Sequence, residues 1–264
     1  MFNSIKSIIF LLVSPLLFFC QDRKNDKEFQ QLNDCDNWKL AFSYSGSEDW
    51  KDNWFLDGEL ANITNSDEGM YFKAGPEDKN DAHHAVLWTK ESFEGDIKIE
   101  FDYTKTDSMQ KNVTILYIQA TGTGEVPYET DITEWNEIRK IPSMRTYFNN
   151  MNTLHISYAA FDPTGKEYVR ARRYPVTKEV TFKDMMLAPS YDNLKELFIE
   201  NIKFHITVIK TKELLFFKVD SENKSHIFEW DLTQKDPIVE GNIGLRHMFT
   251  RSALYKDFEI YVKR

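Results

Sequence analysis

Strict alternation of apolar and polar residues is the feature of this chain that most limits its fold. In "DIKIEFDYTKTD" (96–107), each apolar residue from Ile97 to Tyr103 is followed by a polar or charged one. A period of two places alternate side chains on opposite faces of an extended chain, which is typical of a strand with one buried face. The segment therefore predicts a sheet that packs one side against a second layer.

The rest of the chain repeats this signal in short segments. "NVTILYIQATG" (112–122) is almost continuously apolar, as expected for a strand covered on both faces. Residues 202–230 read as three strands with polar turns at 211–213 and 221–225, and two more strands follow in 241–264. Aromatic residues make up 14% of the chain, which also favours strands.

Helical signals are few, and they are confined to one or two turns in 130–140 and in 190–200. No alternation of strands with helices is present, which disfavours a parallel α/β enzyme. The sequence therefore predicts one all-β domain over residues 38–264, built as a two-sheet sandwich.

The N-terminus has the pattern of a targeting segment. Lys6 precedes an apolar stretch too short to span a membrane comfortably, and the stretch ends at Cys20 before a polar run. We expect a signal peptide over 1–19, a lipidated Cys20 and a polar tether over 20–37. This predicts a bacterial envelope protein that contacts the membrane through its lipid anchor only, or a secreted protein if Cys20 is not lipidated.

Charge and cysteine content exclude other classes. The formal net charge is -9, so no broad basic surface for nucleic acid is expected. Cys35 is the other cysteine, which leaves no intramolecular disulfide after lipidation and no cysteine-based zinc motif. The sequence requires no cofactor. "DPTGKE" and "DSENKS" are too sparse in carboxylates to define a calcium site, although a structural calcium ion is left open.

Several motifs carry a family resemblance. "GNIGLR" (241–246) and "YKDFEI" (255–260) resemble the end of concanavalin A-like jelly rolls. "HHAVLWTKESFEGDIKIEFDY", "NTLHISY", "IGLRHM" and "YKDFEIY", in this order, resemble the YesU-like family, a bacterial domain of unknown function. The resemblance covers about residues 50–262. It implies a concanavalin A-like jelly roll associated with the use of polysaccharides, notably those rich in uronic acids, and it transfers no catalytic residue.

The segment 153–174 reads as a hairpin that gathers basic residues. "DPTG" (162–165) is a strong turn signal, with proline preset at the second position and glycine free to take a positive φ. The favoured register places His155 on the same face as Arg170 and Arg172. A register shifted by one would bury two unpaired guanidinium groups, at a cost of several kcal/mol. The alternative interpretation of this face is a solvated surface on which arginine stems cover apolar atoms.

Alternation extends this face to other strands. Trp88 shares a strand face with His84, and Arg246 points to the other face of its strand from the apolar Leu245. We therefore expect these residues to converge with the hairpin on the concave, solvent-facing side of one sheet. The candidate catalytic residues are His155, His84 and Tyr158. The candidate substrate-binding residues are Arg170, Arg172, Arg246, Trp88, Tyr117, Tyr128 and Trp135, the last two on a loop at the rim.

These residue types suit elimination on an acidic sugar. Arginine matches a uronate carboxylate with a planar fork, while histidine or tyrosine can remove the C5 proton and protonate the leaving oxygen. We therefore expect an envelope-anchored protein that acts on acidic poly- or oligosaccharide by lyase-type elimination. A non-catalytic glycan-binding lipoprotein and a glycoside hydrolase with an unidentified carboxylate pair are the alternatives on the same fold.

Overall fold

The computed structural model of the protein describes residues 26–264 and forms a sandwich of two antiparallel sheets. The predicted signal peptide and Cys20 lie outside the described residues. The eight-stranded sheet has the order β13-β12-β11-β6-β15-β4-β3, with β1 also paired to β15, and the seven-stranded sheet has the order β10-β9-β8-β7-β14-β5-β2. The strands are β1 (Trp38–Tyr44), β2 (Trp54–Asp57), β3 (Asn62–Ser66), β4 (Gly69–Lys73), β5 (Ala85–Glu94), β6 (Ile97–Lys105), β7 (Asn112–Gly122), β8 (Met151–Phe161), β9 (Glu167–Tyr174), β10 (Tyr191–Leu194), β11 (Lys203–Lys210), β12 (Leu214–Asp220), β13 (Ser225–Asp231), β14 (Glu240–His247) and β15 (Ser252–Lys263).

The main core lies between the two sheets, where alternation predicts it. In β6, Ile97, Ile99, Phe101 and Tyr103 are all fully buried in this core. Facing them, β8 contributes Leu154, Ile156 and Tyr158 to the same core. The predicted all-β, two-sheet jelly-roll sandwich is confirmed.

The described part of the predicted tether is packed onto the domain. Residues 26–32 form helix α1, and Phe29 is buried against Ile209 and Phe216 on the outer face of the eight-stranded sheet. The indole nitrogen of Trp38 donates to the carbonyl of Leu32 at 2.7 Å. Among residues 26–264, the structure contains no helix of the length and apolar character that crossing a membrane requires.

Helices contribute little else. The remaining α-helices are α2 (Trp50–Asn53) and α3 (Met144–Asn150), and short 3-10 helices lie at Cys35–Asn37, Asp81–His83 and Asn136–Arg139. Of the helical turns predicted in 130–140, the structure contains the 3-10 helix Asn136–Arg139. The turns predicted in 190–200 were wrong at their start, because Tyr191–Leu194 pairs antiparallel with β9 as strand β10. Sheet hydrogen bonds there override the local helical pattern.

The hairpin of β8 and β9 has the predicted turn. The register next to this turn, with Phe161 opposite Glu167, shifts by one residue between Ser157 and Ala160, and this bulge produces the predicted pairing further along the strands. The Asp162 carboxylate accepts hydrogen bonds from the backbone of Thr164 and Lys166, and Gly165 takes a φ of 80°. His155 pairs with Arg172, and Ser157 pairs with Arg170. Directly opposed residues of an antiparallel pair point to the same face, so this hairpin does gather its basic residues with His155.

Two segments cover the outer face of the seven-stranded sheet. They are residues 123–150, between β7 and β8, and residues 175–190, between β9 and β10, and we call them the cover. Apolar side chains of the cover pack on outward-facing residues of the sheet to form a second core. Its fully buried members are Val86, Trp88, Ile115, Tyr117, Ala120, Ile132, Trp135, Tyr147, Met151, Tyr174 and Met185.

Candidate functional site

One transverse row of residues crosses five strands on the outer face of the seven-stranded sheet. Trp88 of β5 lies opposite Gly244 of β14, which lies opposite Tyr117 of β7. Tyr117 lies opposite His155 of β8, and His155 lies opposite Arg172 of β9. We call these five residues the central row. Four of them are residues that the sequence singles out, brought together by strand register.

Gly244 gives the row its shape. A Cβ atom at this position would lie 2.4 Å from Cζ3 of Trp88, so only glycine lets the indole lie against the backbone of β14. Trp88 stacks on Tyr117 with ring centroids 5.3 Å apart and an interplanar angle of 21°. Tyr147 of α3 stacks on Tyr117 at 5.8 Å, which brings the cover onto this aromatic pair.

His155 is held between two hydroxyl groups. Its Nδ1 lies 2.6 Å from the hydroxyl of Tyr174, and its Nε2 lies 2.6 Å from Oγ of Ser157. Burial, and then the positive charges of Arg172 and Arg246, hold the pKa of His155 well below its usual value. The imidazole is therefore neutral near neutral pH.

Arg246 lies in the neighbouring row, where it pairs with Val86 of β5 and Ile115 of β7. Its Nη2 donates to Nδ1 of His84 at 2.7 Å and to the carbonyl of Pro142 at 2.5 Å. Burial and the adjacent Arg246 charge lower the pKa of His84 to about 3. His84 is thus a neutral acceptor, with its proton on Nε2. The Nε and Nη1 atoms of Arg246 are buried without a hydrogen-bond partner.

Asp57, at the end of β2, joins the cover to the sheet. Its carboxylate accepts from Nε1 of Trp88 at 2.7 Å and from the hydroxyl of Tyr147 at 2.7 Å. It also accepts from Nδ2 of Asn136 at 2.6 Å and forms an ion pair with Nε of Arg139 at 2.6 Å. Sequence analysis missed this connection, because no local pattern links an aspartate and an arginine that lie 82 positions apart.

The β9 and β10 side of this face remains open to solvent. Arg170 donates to Oγ of Ser190 at 2.9 Å, forms an ion pair with Asp192 and lies over the ring of Tyr168 at 4.0 Å. Arg172 is half-buried and lies over Phe182, whose relative exposure is 44%. Arg170, Arg172, Phe182, Ser190 and Asp192 are called the open flank. Through Arg172, the open flank is continuous with the central row.

The expectation that the site residues face solvent is wrong for most of them. The cover encloses His84, His155, Arg246, Trp88 and Tyr117, and their relative exposures are 2% or less. Alternation establishes which face a side chain occupies, but it does not show what lies on that face. Arg170 and Arg172 alone among the strand candidates reach the surface.

Three other predicted positions need correction. Tyr158 lies on the opposite side of β8 from His155, in the core between the sheets, with its hydroxyl 3.2 Å from that of Tyr255. It follows His155 by an odd number of residues, and its parity therefore places it there. The predicted rim residue Trp135 is buried under Arg139 at 4.1 Å, and Tyr128 is half-buried against Trp135.

Metal-ligating side chains do not gather at this face. Within the described residues, the one group of three potential ligands is Asp34, Cys35 and Asp36, all exposed on the segment before β1. A cluster of exposed acidic groups does not by itself define a metal site.

The fold is a jelly-roll sandwich of two antiparallel sheets. The chain belongs to the family described as Domain of unknown function (DUF1961), which matches residues 41–260. No curated protein matches the sequence significantly.

Solved structures of the same architecture are numerous. A protein of unknown function with a galectin-like fold from Bacillus subtilis is 19% identical, with a TM-score of 0.66 over 86% of this chain and 100% of that chain. The exoplasmic/lumenal domain of VIP36 in its Ca²⁺/Man3GlcNAc-bound form is 10% identical, with a TM-score of 0.53 over 85% of this chain and 90% of that one. Lectin I-B4 from Griffonia simplicifolia is 8% identical, with a TM-score of 0.52 over 83% and 98%. At these sequence identities, the structural similarity establishes a shared fold and nothing further.

Proposed function

We propose that this protein binds carbohydrate on the outer face of the seven-stranded sheet, entered from the open flank, and that it prefers acidic sugars. The central row is the observation that carries the proposal. Flat aromatic rings suit the apolar faces of a sugar, and the hydroxyl and imidazole groups suit its hydroxyls. Arg172 has no carboxylate within ion-pair distance among residues 26–264, so a uronate carboxylate can pair with it.

The similar structures support the carbohydrate class. The VIP36 domain is described with Man3GlcNAc bound, and lectin UEA-II, which has a TM-score of 0.51, is described in complex with galactose. Both have the sandwich architecture of this chain. Because one fold supports many functions, the support specific to this protein is its own central row.

Lyase-type elimination is a second candidate, favoured by the pair of His155 and Tyr174. A neutral imidazole can take the C5 proton of a uronate, and a tyrosine hydroxyl 2.6 Å away can supply a proton to the leaving oxygen. Arg172, directly opposite His155, would neutralise the carboxylate and stabilise the developing enolate.

The proposal includes attachment to the bacterial envelope through Cys20. The support is the apolar stretch that ends at this cysteine and the polar run that follows it. Cys20→Ala is expected to release the protein from the membrane fraction. Retention of this variant in the membrane fraction would place the anchor elsewhere. The finer resemblance to the YesU-like family is part of the same proposal.

Calorimetric titration tests the binding site. We expect wild-type protein to bind oligogalacturonate more tightly than a neutral oligosaccharide of equal length, and Arg172→Ala to weaken binding of the acidic ligand by at least about tenfold. Lys203→Ala is the matched control, because Lys203 is a basic residue on the outer face of the other sheet, paired with Asp102 at 2.9 Å. Equal weakening by both variants, or no binding of either sugar, contradicts the proposal.

Ultraviolet absorbance separates binding from elimination. A lyase produces unsaturated uronates, which absorb in the near ultraviolet, whereas a binding protein and a hydrolase do not. If His155 is the base, His155→Gln is expected to remove the absorbance increase while acidic ligand still binds. Binding without any increase from the wild-type protein contradicts the lyase candidate and leaves the binding proposal intact.

A further inference from the structure

Within residues 26–264, three arginine side chains are completely buried, and one of them lacks an acidic partner. Arg139 pairs with Asp57 at 2.6 Å, and Arg251 pairs with Asp107 at 3.0 Å. No carboxylate lies within ion-pair distance of Arg246 in this part of the chain. Arg246 is thus the exception among three otherwise comparable side chains.

The groups that touch Arg246 carry no negative charge. Its Nη2 donates to Nδ1 of His84 and to the carbonyl of Pro142, and its guanidinium lies 4.5 Å from the ring centre of Tyr147. His84 is neutral at physiological pH, because burial and Arg246 itself lower its pKa to about 3. The nearest partners therefore satisfy hydrogen bonds without balancing the charge.

This guanidinium has unused donors. The Nε and Nη1 atoms of Arg246 are buried without a hydrogen-bond partner. Burial raises the pKa of Tyr117, whereas the positive charge of Arg246 and side-chain interactions with Arg246 and Tyr174 act against that rise, so the hydroxyl lies beside the guanidinium. A buried donor that makes no hydrogen bond lowers the stability of the folded protein, because it has lost its contact with water. The two donors have the same requirement, an acceptor with negative charge.

One negative charge balances Arg246, since His84 is neutral. A monoanion with oxygen acceptors, such as a carboxylate, meets this requirement better than a dianionic phosphate. Pro142 and Tyr147, which contact Arg246, belong to residues 123–150 of the cover, so the guanidinium lies between the cover and the sheet. We propose that Arg246, with the hydroxyl of Tyr117, forms an internal binding site for one carboxylate group between the cover and the seven-stranded sheet.

The site does not require that the protein binds a sugar, because a free carboxylic acid offers the same group as a uronate. Thermal unfolding of the full chain can separate these sources. The probes are sodium acetate and sodium glucuronate, with sodium chloride at equal ionic strength and neutral glucose as controls. A ligand that binds only the folded state raises the melting temperature. We expect acetate, glucuronate or both to raise it above the chloride value, and glucose to leave it unchanged.

Arg246→Met tests the residue itself. Replacing an unpaired buried charge by an apolar side chain of similar size removes a desolvation cost. The variant is therefore expected to melt at the wild-type temperature or above it without carboxylate, and to lose the carboxylate-induced rise. Arg139→Met is the matched control, and it is expected to melt lower because it leaves Asp57 without its ion-pair partner. If Arg246→Met does not fold, Tyr117→Phe is expected to fold and to reduce the rise.

The outcomes divide clearly. A rise with acetate and glucuronate indicates that a free carboxylate suffices, and a rise with glucuronate alone indicates a sugar-borne one; both support the site. No rise above chloride with either probe overturns it. So does an Arg246→Met protein that melts as low as Arg139→Met, or one that keeps the full rise. Because none of these measurements depends on oligosaccharide binding, they are independent of the carbohydrate proposal.

Discussion

The outer faces of the two sheets handle charge in different ways. On the eight-stranded sheet, Asp102 pairs with Lys203 and His205 across neighbouring strands, and these partners reach solvent. On the seven-stranded sheet, Arg246 and Arg172 have no acidic partner among residues 26–264, and aromatic rings and the cover surround them. The first arrangement is that of a solvated face, which water and cross-strand pairs satisfy.

The comparison shows where to look for a ligand. Both faces carry basic residues on alternating strand positions, so composition does not separate them. The ion pairs do separate the two faces. A charge that is buried without a counter-charge destabilises the folded protein unless a ligand supplies the counter-charge. This criterion favours the seven-stranded sheet, and the following predictions measure the difference between the two faces.

Asp57→Asn is expected to have the largest effect on stability. The substitution keeps the size of the side chain but replaces the carboxylate that forms an ion pair with Arg139 and accepts hydrogen bonds from Trp88 and Tyr147. Loss of one partner of a buried pair costs about 3–5 kcal/mol. The free energy of unfolding from urea titration is expected to fall by that amount.

Asp102→Asn is the control on the opposite face. Its partners Lys203 and His205 are 69% and 47% exposed, so the expected loss is within about 1 kcal/mol. Equal losses for the two variants would mean that the cover is not held by Asp57.

Acid pH is expected to destabilise the covered face through its histidines. Burial and the Arg246 charge lower the pKa of His84 from 6.5 to about 3, so the unfolded chain binds more protons than the folded one between these values. Stability from His84 is therefore full above pH 6.5 and is lost as pH falls towards 3. His84→Gln is expected to reduce this loss by on the order of 2–4 kcal/mol, measured by urea unfolding at several pH values.

His205 on the open face is expected to behave in the opposite way. Its hydrogen bond to Asp102 raises its pKa, so its contribution is present below pH 6.5 and is lost as pH rises through the folded value. The contribution is small, because the side chain is 47% exposed. A His205→Gln variant that flattens the acid loss as much as His84→Gln would contradict the contrast between the faces.

Gly244→Ala is expected to cost about 1–3 kcal/mol, because the new methyl group would meet the Trp88 ring at 2.4 Å. The methyl group is expected to displace the Trp88 ring from the central row and thereby to weaken sugar binding. Trp88→Phe in the Gly244→Ala background is expected to recover part of the stability, since the smaller ring leaves room for the methyl group. Strictly additive losses in this double-mutant cycle would show that the two residues are not coupled.

The side of each strand on which a residue lies was predictable from the sequence, and it located most of the candidate face. The alternation in 96–107 identified the core side of β6, and the "DPTG" turn located the hairpin of β8 and β9. The pairing of His155 with Arg172 also depends on the register shift between Ser157 and Ala160, which the turn does not specify. The same alternation put Trp88 and Arg246 on the outward side of their strands. These features follow from the two-residue period and from local turn chemistry, both of which a sequence carries directly.

The burial of that face was not predictable in the same way. The cover packs through residues such as Trp135, Tyr147 and Met185, which have no regular spacing to show their partners. Its attachment through Asp57 depends on contacts between distant parts of the chain. Tyr158 was misplaced although its parity already assigned it to the core.

Chemical-shift mapping can show which sheet face binds the sugar. A ¹⁵N-labelled protein is titrated with oligogalacturonate, and backbone and arginine side-chain resonances are followed. We expect the resonances of Arg170 and Arg172 in the open flank to shift first, followed by those of His155 and Tyr117, while the resonances of Lys203 and its neighbours on the eight-stranded sheet stay unchanged. Shifts confined to the eight-stranded sheet, or no shifts at saturating sugar, would contradict this expectation.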